Sequence, residues 1–180
     1  MEFLTRDQCF DFAKRAGVVA KPSRDLPRIA KKHAAVFYAE SIKPIARRSA
    51  EIVAEWFPKY ETALLWISGW PFGDGWGEHD SPMRTRPEWK RFHELRRSQG
   101  EQRRLHDAPG HLLGTEERTV IANLSELAIV IGWDSMLLAK PNRAVIYLSH
   151  DDDITVQSDR NISSLSAALA ELGLTRGDVR

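Results

Sequence analysis

The sequence predicts a single domain of the α+β class. Segments with helical and strand-like patterns follow one another in the order αβαβααβββα, and no connecting segment has the composition of a linker between domains. A chain of 180 residues is also of ordinary size for one domain with its own core. We therefore expect residues 1–180 to form one domain. Its mixed sheet would have about five strands, including a C-terminal three-strand meander, and four to five helices would pack on it.

The N-terminal half contains two predicted helices and two predicted strands. The first helix begins with a capping-box pattern, Thr5 with Gln8, and the second begins at Pro44 with an amphipathic spacing of apolar residues. The strands are short apolar runs bounded by polar residues, which is typical of buried strands. The predicted elements are helices over 5–15 and 44–57 and strands over 34–39 and 62–68.

The C-terminal half contains three further helices and the three strands of the meander. Pro87 opens one helix, Thr115 is expected to cap the longest one, and Gly132 follows that helix as a C-terminal stop. Short polar turns separate the strands, as in a meander, and Asn161 is expected to cap the last helix. The predicted elements are helices over 87–98, 116–131 and 161–172, and strands over 135–139, 144–149 and 154–157.

Composition restricts the classes of function. The net charge is +1, and Cys9 is the only cysteine, which excludes an intrachain disulfide and a cysteine-rich zinc site. No signal-peptide core or membrane-length apolar run occurs, so a cytoplasmic location without membrane association is expected. Phosphate-loop, Rossmann, kinase and zinc-finger patterns are absent as well, and no cofactor is predicted.

Two neighbouring segments form the leading candidate for a binding surface. Residues 84–104 carry eight Lys or Arg and three Glu, and clustered arginines suit the recognition of carboxylates or phosphates. The preceding segment, 70–80, is rich in glycine and acidic residues and contains two tryptophans, which are common in binding hot spots. The predicted binding residues are Trp70, Trp76, Trp89, His93, Arg96, Arg97, Arg103 and Arg104.

The histidines form the alternative candidate site. His106 and His111 flank an Asp-Ala-Pro-Gly turn that could direct both rings toward one point, and His150 precedes three aspartates at a strand tip. The favoured interpretation is local: a tight turn at 107–110 and a solvated hairpin turn at 151–153. An alternative is that the acidic tip pairs with Arg103 and Arg104. If the groups converge, the catalytic candidates are His106, Asp107, His111, His150 and Asp151, and the weak metal-ligand candidates are His106, His111, His150 and Asp153.

Three functional hypotheses follow from these segments. The first is a protein that binds another macromolecule, most simply a protein, through the aromatic and acidic loop and the arginine-rich helix. Its compact α+β build is similar to that of small bacterial binding proteins, including toxin-neutralising immunity proteins, so an immunity-like or regulatory role is expected. The second is a metal-dependent or acid–base hydrolase that uses the histidines. The third is nucleic-acid binding by the basic helix. The oligomeric state is left open.

Overall fold

The fold is an antiparallel sheet with helices packed on it. In the part of the chain that the structure describes, residues 1–18, 32–69, 85–141 and 144–179, a computed structural model contains five α-helices and eight strands. The helices are α1 (Arg6–Arg15), α2 (Ala46–Trp56), α3 (Pro87–Ser98), α4 (Arg118–Ile131) and α5 (Ser163–Glu171). The strands are β1 (Glu2–Leu4), β2 (His33–Tyr38), β3 (Thr62–Gly69), β4 (Gly110–Gly114), β5 (Asp134–Lys140), β6 (Ala144–Leu148), β7 (Asp153–Ser158) and β8 (Thr175–Gly177).

The sheet is larger than expected, and its strands do not run in mixed directions. The strand order is β1-β4-β3-β5-β6-β7-β2-β8, and every pairing between described strands is antiparallel. The α+β class and the meander β5-β6-β7 are confirmed, whereas a mixed sheet of about five strands is wrong. Of the three additional strands, β1 and β8 have 3 residues each, too few to show a clear period in the sequence. The third, β4, has 5 residues but begins and ends with glycine, which is unfavourable in strands.

The two faces of the sheet have different surroundings. Leu65, Leu137 and Ile146 belong to a large apolar core between one face and helices α2 to α5, and we call this face the helix-covered face. The residues between them in the strands point to the other side, because side chains alternate along a strand. This opposite face has a smaller core around Trp66 and Met136, where α1 packs against β1, β3 and β4.

The far end of the opposite face is polar and is important for the candidate site. It is formed by β6, β7, β2 and β8, and cross-strand pairing places Tyr38 beside Asp153 and Val36 beside Thr155. Tyr147 pairs with Met136 and Thr155, so it lies on this same face. We call this region the polar end of the sheet.

The helix ends agree only partly with the expected caps. The capping box of α1 is present, since Thr5 Oγ1 accepts from the backbone N–H of Gln8 at 3.4 Å and the Gln8 side chain accepts from Thr5 N–H at 2.8 Å. Thr115 does not cap α4, which begins after Glu117 without a side-chain cap. The Glu117 carboxylate is used elsewhere, because it accepts from the Gly114 N–H and from the N-terminal amine.

Candidate functional site

The arginine-rich helix uses two of its predicted binding residues for packing. Trp89 is 6% exposed and Arg96 is 1% exposed, so neither side chain can contact a partner in this conformation. The Arg96 guanidinium lies 5.3 Å from the ring centre of Phe3 and 5.6 Å from that of Phe92, and it donates to the Arg103 carbonyl at 3.1 Å. These contacts correct the sequence expectation, because they give Trp89 and Arg96 a role in the core.

Arg103 and Arg104 also have partners within the chain. Arg103 pairs with the buried Glu101 at 2.6 Å, and Arg104 pairs with Asp107 at 2.9 Å. Burial alone would favour the protonated form of Glu101, but its hydrogen bonds from Arg103 hold the pKa of this carboxyl below its usual range. The alternative in which these arginines pair with the acidic tip at 151–153 is not borne out, because their carboxylate partners, Glu101 and Asp107, lie within one short segment of the chain.

Other predicted members of the arginine-rich surface have mixed environments. Arg91 pairs with Glu126 of α4 at 2.8 Å, which neutralises part of the basic helix. His93 is half-buried and lies 4.7 Å, centre to centre, from the ring of Trp89, while Arg97 is exposed. Internal pairing leaves less positive charge for a polyanion than the sequence indicates, and nucleic-acid binding stays a prediction.

His111 lies in the core and lacks the access that a catalytic base or metal ligand needs. It is completely buried on β4, with Phe3 at 5.4 Å and Phe92 at 5.6 Å between ring centres. Its Nδ1–H donates to the Leu65 carbonyl at 3.3 Å. Burial, assisted by the positive charge of Arg96, lowers the pKa of His111 to about 3, so the ring is neutral at physiological pH.

The structure does not bring the three candidate histidines together. His111 lies on the helix-covered face, His106 is exposed in the turn before β4, and His150 is in the turn between β6 and β7. Among the described residues, no three His, Cys, Asp or Glu side chains are arranged to hold a metal ion. The converging His/Asp site that would have united His106, His111, His150 and Asp153 is therefore not formed by these residues.

An Asp–His pair that the sequence did not indicate adjoins the polar end of the sheet, between the start of β5 and the turn from β6 to β7. Asp134 begins β5 and is nearly buried, and its Oδ1 accepts from both the backbone N–H of His150 at 3.1 Å and the ring Nδ1–H at 2.8 Å. Gly69 on β3 makes room for this carboxylate, since a Cβ there would lie 3.0 Å from Asp134 Oδ2. The other ring nitrogen of His150 is 3.3 Å from the exposed Asp151 carboxylate.

Negative charge accumulates around this pair. Burial raises the pKa of Asp153, and the nearby carboxylates of Asp151 and Asp134 raise it further. Burial likewise raises the pKa of Tyr147, whose hydroxyl is close to Asp134. Among the described residues, the only cationic group paired with these aspartates is the His150 ring when it is protonated. The polar end therefore has an excess of negative charge.

A groove of about 570 Å³ lies beside these carboxylates. Tyr38 stands at its edge and is 45% exposed, the only large hydrophobic side chain that is exposed in the described part of the chain. Gly177 on β8 lies against the Tyr38 ring, and a Cβ there would be 3.2 Å from it. The groove is lined by Val36, Tyr38, Asp153, Thr155, Gly177, Asp178 and Val179.

The two loop tryptophans, Trp70 and Trp76, lie outside the described residues, and their proposed role stays a prediction. Two site residues were missed because the sequence holds only faint signals for them. Asp134 follows a Gly-Trp pair at the end of α4, and Tyr38 lies within an apolar run. Their importance depends on partners more than ten residues away.

Comparison of the chain with protein-family models, with curated proteins and with solved structures finds no match. No helix in the described ranges has both the length and the apolar character needed to cross a membrane.

Proposed function

We propose that this chain is a macromolecule-binding protein that receives a protein partner at the polar end of its sheet. The observation that carries the proposal is the groove beside Tyr38, where an exposed aromatic ring adjoins several carboxylates. Tyrosine is common at binding hot spots because its rigid ring supplies a large contact area and its hydroxyl a hydrogen bond.

The neighbouring elements support a rigid surface at this position. Tyr38 lies on an inner strand, with β7 on one side and β8 on the other, so its backbone is held by both neighbours. The backbone N–H of Ile42 donates to the Asp152 carboxylate at 3.1 Å, which ties the chain after β2 to the acidic turn. A preformed surface loses little conformational entropy when a partner binds.

Partner capture with a matched pair of variants tests this proposal. Wild-type protein, Tyr38→Ala and Lys59→Ala would be immobilised, and proteins retained from a cell lysate would be identified, purified and titrated by calorimetry. Lys59 is exposed and precedes β3 at the opposite end of the strands. We expect Tyr38→Ala to weaken binding about tenfold or more, as at a hot spot, and Lys59→Ala to leave it unchanged. Partners that bind both variants with wild-type affinity would overturn the proposal.

A second candidate function, acid–base hydrolysis, is favoured by the Asp134–His150 pair alone. A carboxylate that fixes one ring nitrogen is the arrangement that orients a histidine general base, whose other nitrogen takes a proton from water. Here that nitrogen faces Asp151, which is exposed and could move aside for a substrate. Hydrolysis of p-nitrophenyl acetate and p-nitrophenyl phosphate, compared for wild type and His150→Gln, would test this function. Equal rates for the two proteins would exclude it.

A further inference from the structure

We infer that the partner segment which enters the groove beside Tyr38 is basic and carries arginine. This inference rests on the proposed function, because it names the chemistry of the partner for the same surface.

The charge of the groove favours a cation. Asp153 and Asp178 line it directly, and Asp151 and Asp134 act electrostatically on Asp153 from the adjoining turn and strand. In the described part of the chain no lysine or arginine pairs with Asp151, Asp153 or Asp178. The carboxylates therefore repel one another without a permanent counter-charge. A positively charged side chain in the groove would relieve this repulsion, which an acidic or neutral partner would not do.

The walls of the groove favour arginine in particular. Val36, Val179 and the ring of Tyr38 supply an apolar surface next to the carboxylates. A guanidinium is planar and weakly hydrated, so it stacks on an aromatic ring while its edge donates two hydrogen bonds to a carboxylate. A guanidinium lies over a tyrosine ring elsewhere in this protein, where Arg118 is 5.5 Å from the ring centre of Tyr60 and donates to backbone carbonyls.

The size of the groove fits a short segment better than a single small ion. Its volume of about 570 Å³ is within the range of sites for drug-sized ligands, and a few side chains of a peptide occupy a comparable space. Cross-strand pairing on β7, β2 and β8 gives the floor a regular backbone, along which an extended segment can lie.

Titration of labelled protein with capped hexa-arginine, followed by amide NMR, tests the inference, and capped hexa-glutamate is the negative probe. We expect hexa-arginine to shift the signals of Tyr38, Asp153 and Gly177, and hexa-glutamate to shift none of them. A triple variant, Asp151→Asn, Asp153→Asn and Asp178→Asn, should weaken hexa-arginine binding about tenfold. The control has the same change of net charge at exposed acids elsewhere, Glu55→Gln, Glu94→Gln and Glu171→Gln, and should bind like wild type.

Any other outcome of these peptide titrations overturns the inference that the partner segment is basic and carries arginine. Equal losses in the triple variant and its control would show attraction by net charge only, and shifts confined to other surfaces would place the basic ligand elsewhere. If the triple variant does not fold, the single changes Asp151→Asn and Asp178→Asn at exposed positions serve in its place. A captured partner that depends on Tyr38 but not on the three carboxylates would overturn the arginine inference and leave the proposed function standing.

Discussion

Replacement of His111 by leucine is expected to make the stability of the protein less sensitive to acid. In the folded state the ring is completely buried, and its pKa is lowered to about 3 from an ordinary value of 6.5. In the unfolded state the ring is solvated and binds a proton below pH 6.5. Only the unfolded state gains this proton. The free energy of unfolding therefore carries no penalty from His111 above pH 6.5, and it decreases as the pH falls from 6.5 toward 3.

The size of the effect follows from the two pKa values. At pH 7.5 the proton is absent from both states, and the contribution to the free energy of unfolding is close to zero. At pH 5 the unfolded ring is mostly protonated and the folded ring is not, which costs the folded state about 2 kcal/mol. Leucine at position 111 would remove this term, although loss of the hydrogen bond to Leu65 would lower stability by a constant amount at every pH.

Urea unfolding at pH 7.5, 6 and 5 measures the difference. The gap in unfolding free energy between wild type and His111→Leu should change by about 2 kcal/mol between pH 7.5 and 5, in favour of the variant. Leu113→Ala is the control, because Leu113 is fully buried on the same strand and does not titrate. This variant should be less stable and keep the wild-type pH dependence. Parallel pH curves for wild type and His111→Leu would refute the burial argument.

Three further predictions concern other buried or half-buried groups. Burial raises the pKa of Cys9 to about 12, so the thiol should resist Ellman's reagent at pH 8 until urea unfolds the chain; rapid reaction of the native protein would contradict this. Gly110→Ala should lower the melting temperature through a loss of about 1–3 kcal/mol, because the new Cβ would collide with Cys9 Sγ and Leu4 Cβ; a melting temperature equal to that of wild type would disprove the collision. The pKa of Asp153 is raised in the folded state, so ionising this carboxyl lowers the free energy of unfolding. The whole of this cost is present once the pH is above the folded pKa. Asp153→Asn should therefore raise the melting temperature at pH 7 and lose this advantage below about pH 4, where aspartate is protonated in both states, whereas the same gain at both pH values would point to another cause.

The sequence alone determined the elements whose signals are local. The five predicted strands are β2, β3, β5, β6 and β7 of the structure, because an apolar run and the turns that bound it are visible within a few residues of sequence. The capping box of Thr5 and Gln8 and the left-handed Gly132 at the end of α4 were equally accessible, since each depends on neighbours in sequence. The α+β class followed from the order of these elements.

Tertiary structure alone decided the roles of the charged and polar residues. Arginine is usually a surface residue, yet Arg96 is buried against the rings of Phe3 and Phe92. Phe3 lies more than ninety positions away in the chain. The pairing of β4 with β1 and β3 placed His111 in the core, which no local pattern could show. Asp134 and His150 met because β5 and β6 are antiparallel neighbours. Burial and long-range pairing set the pKa and the accessibility of a side chain, and both arise only when distant segments pack together.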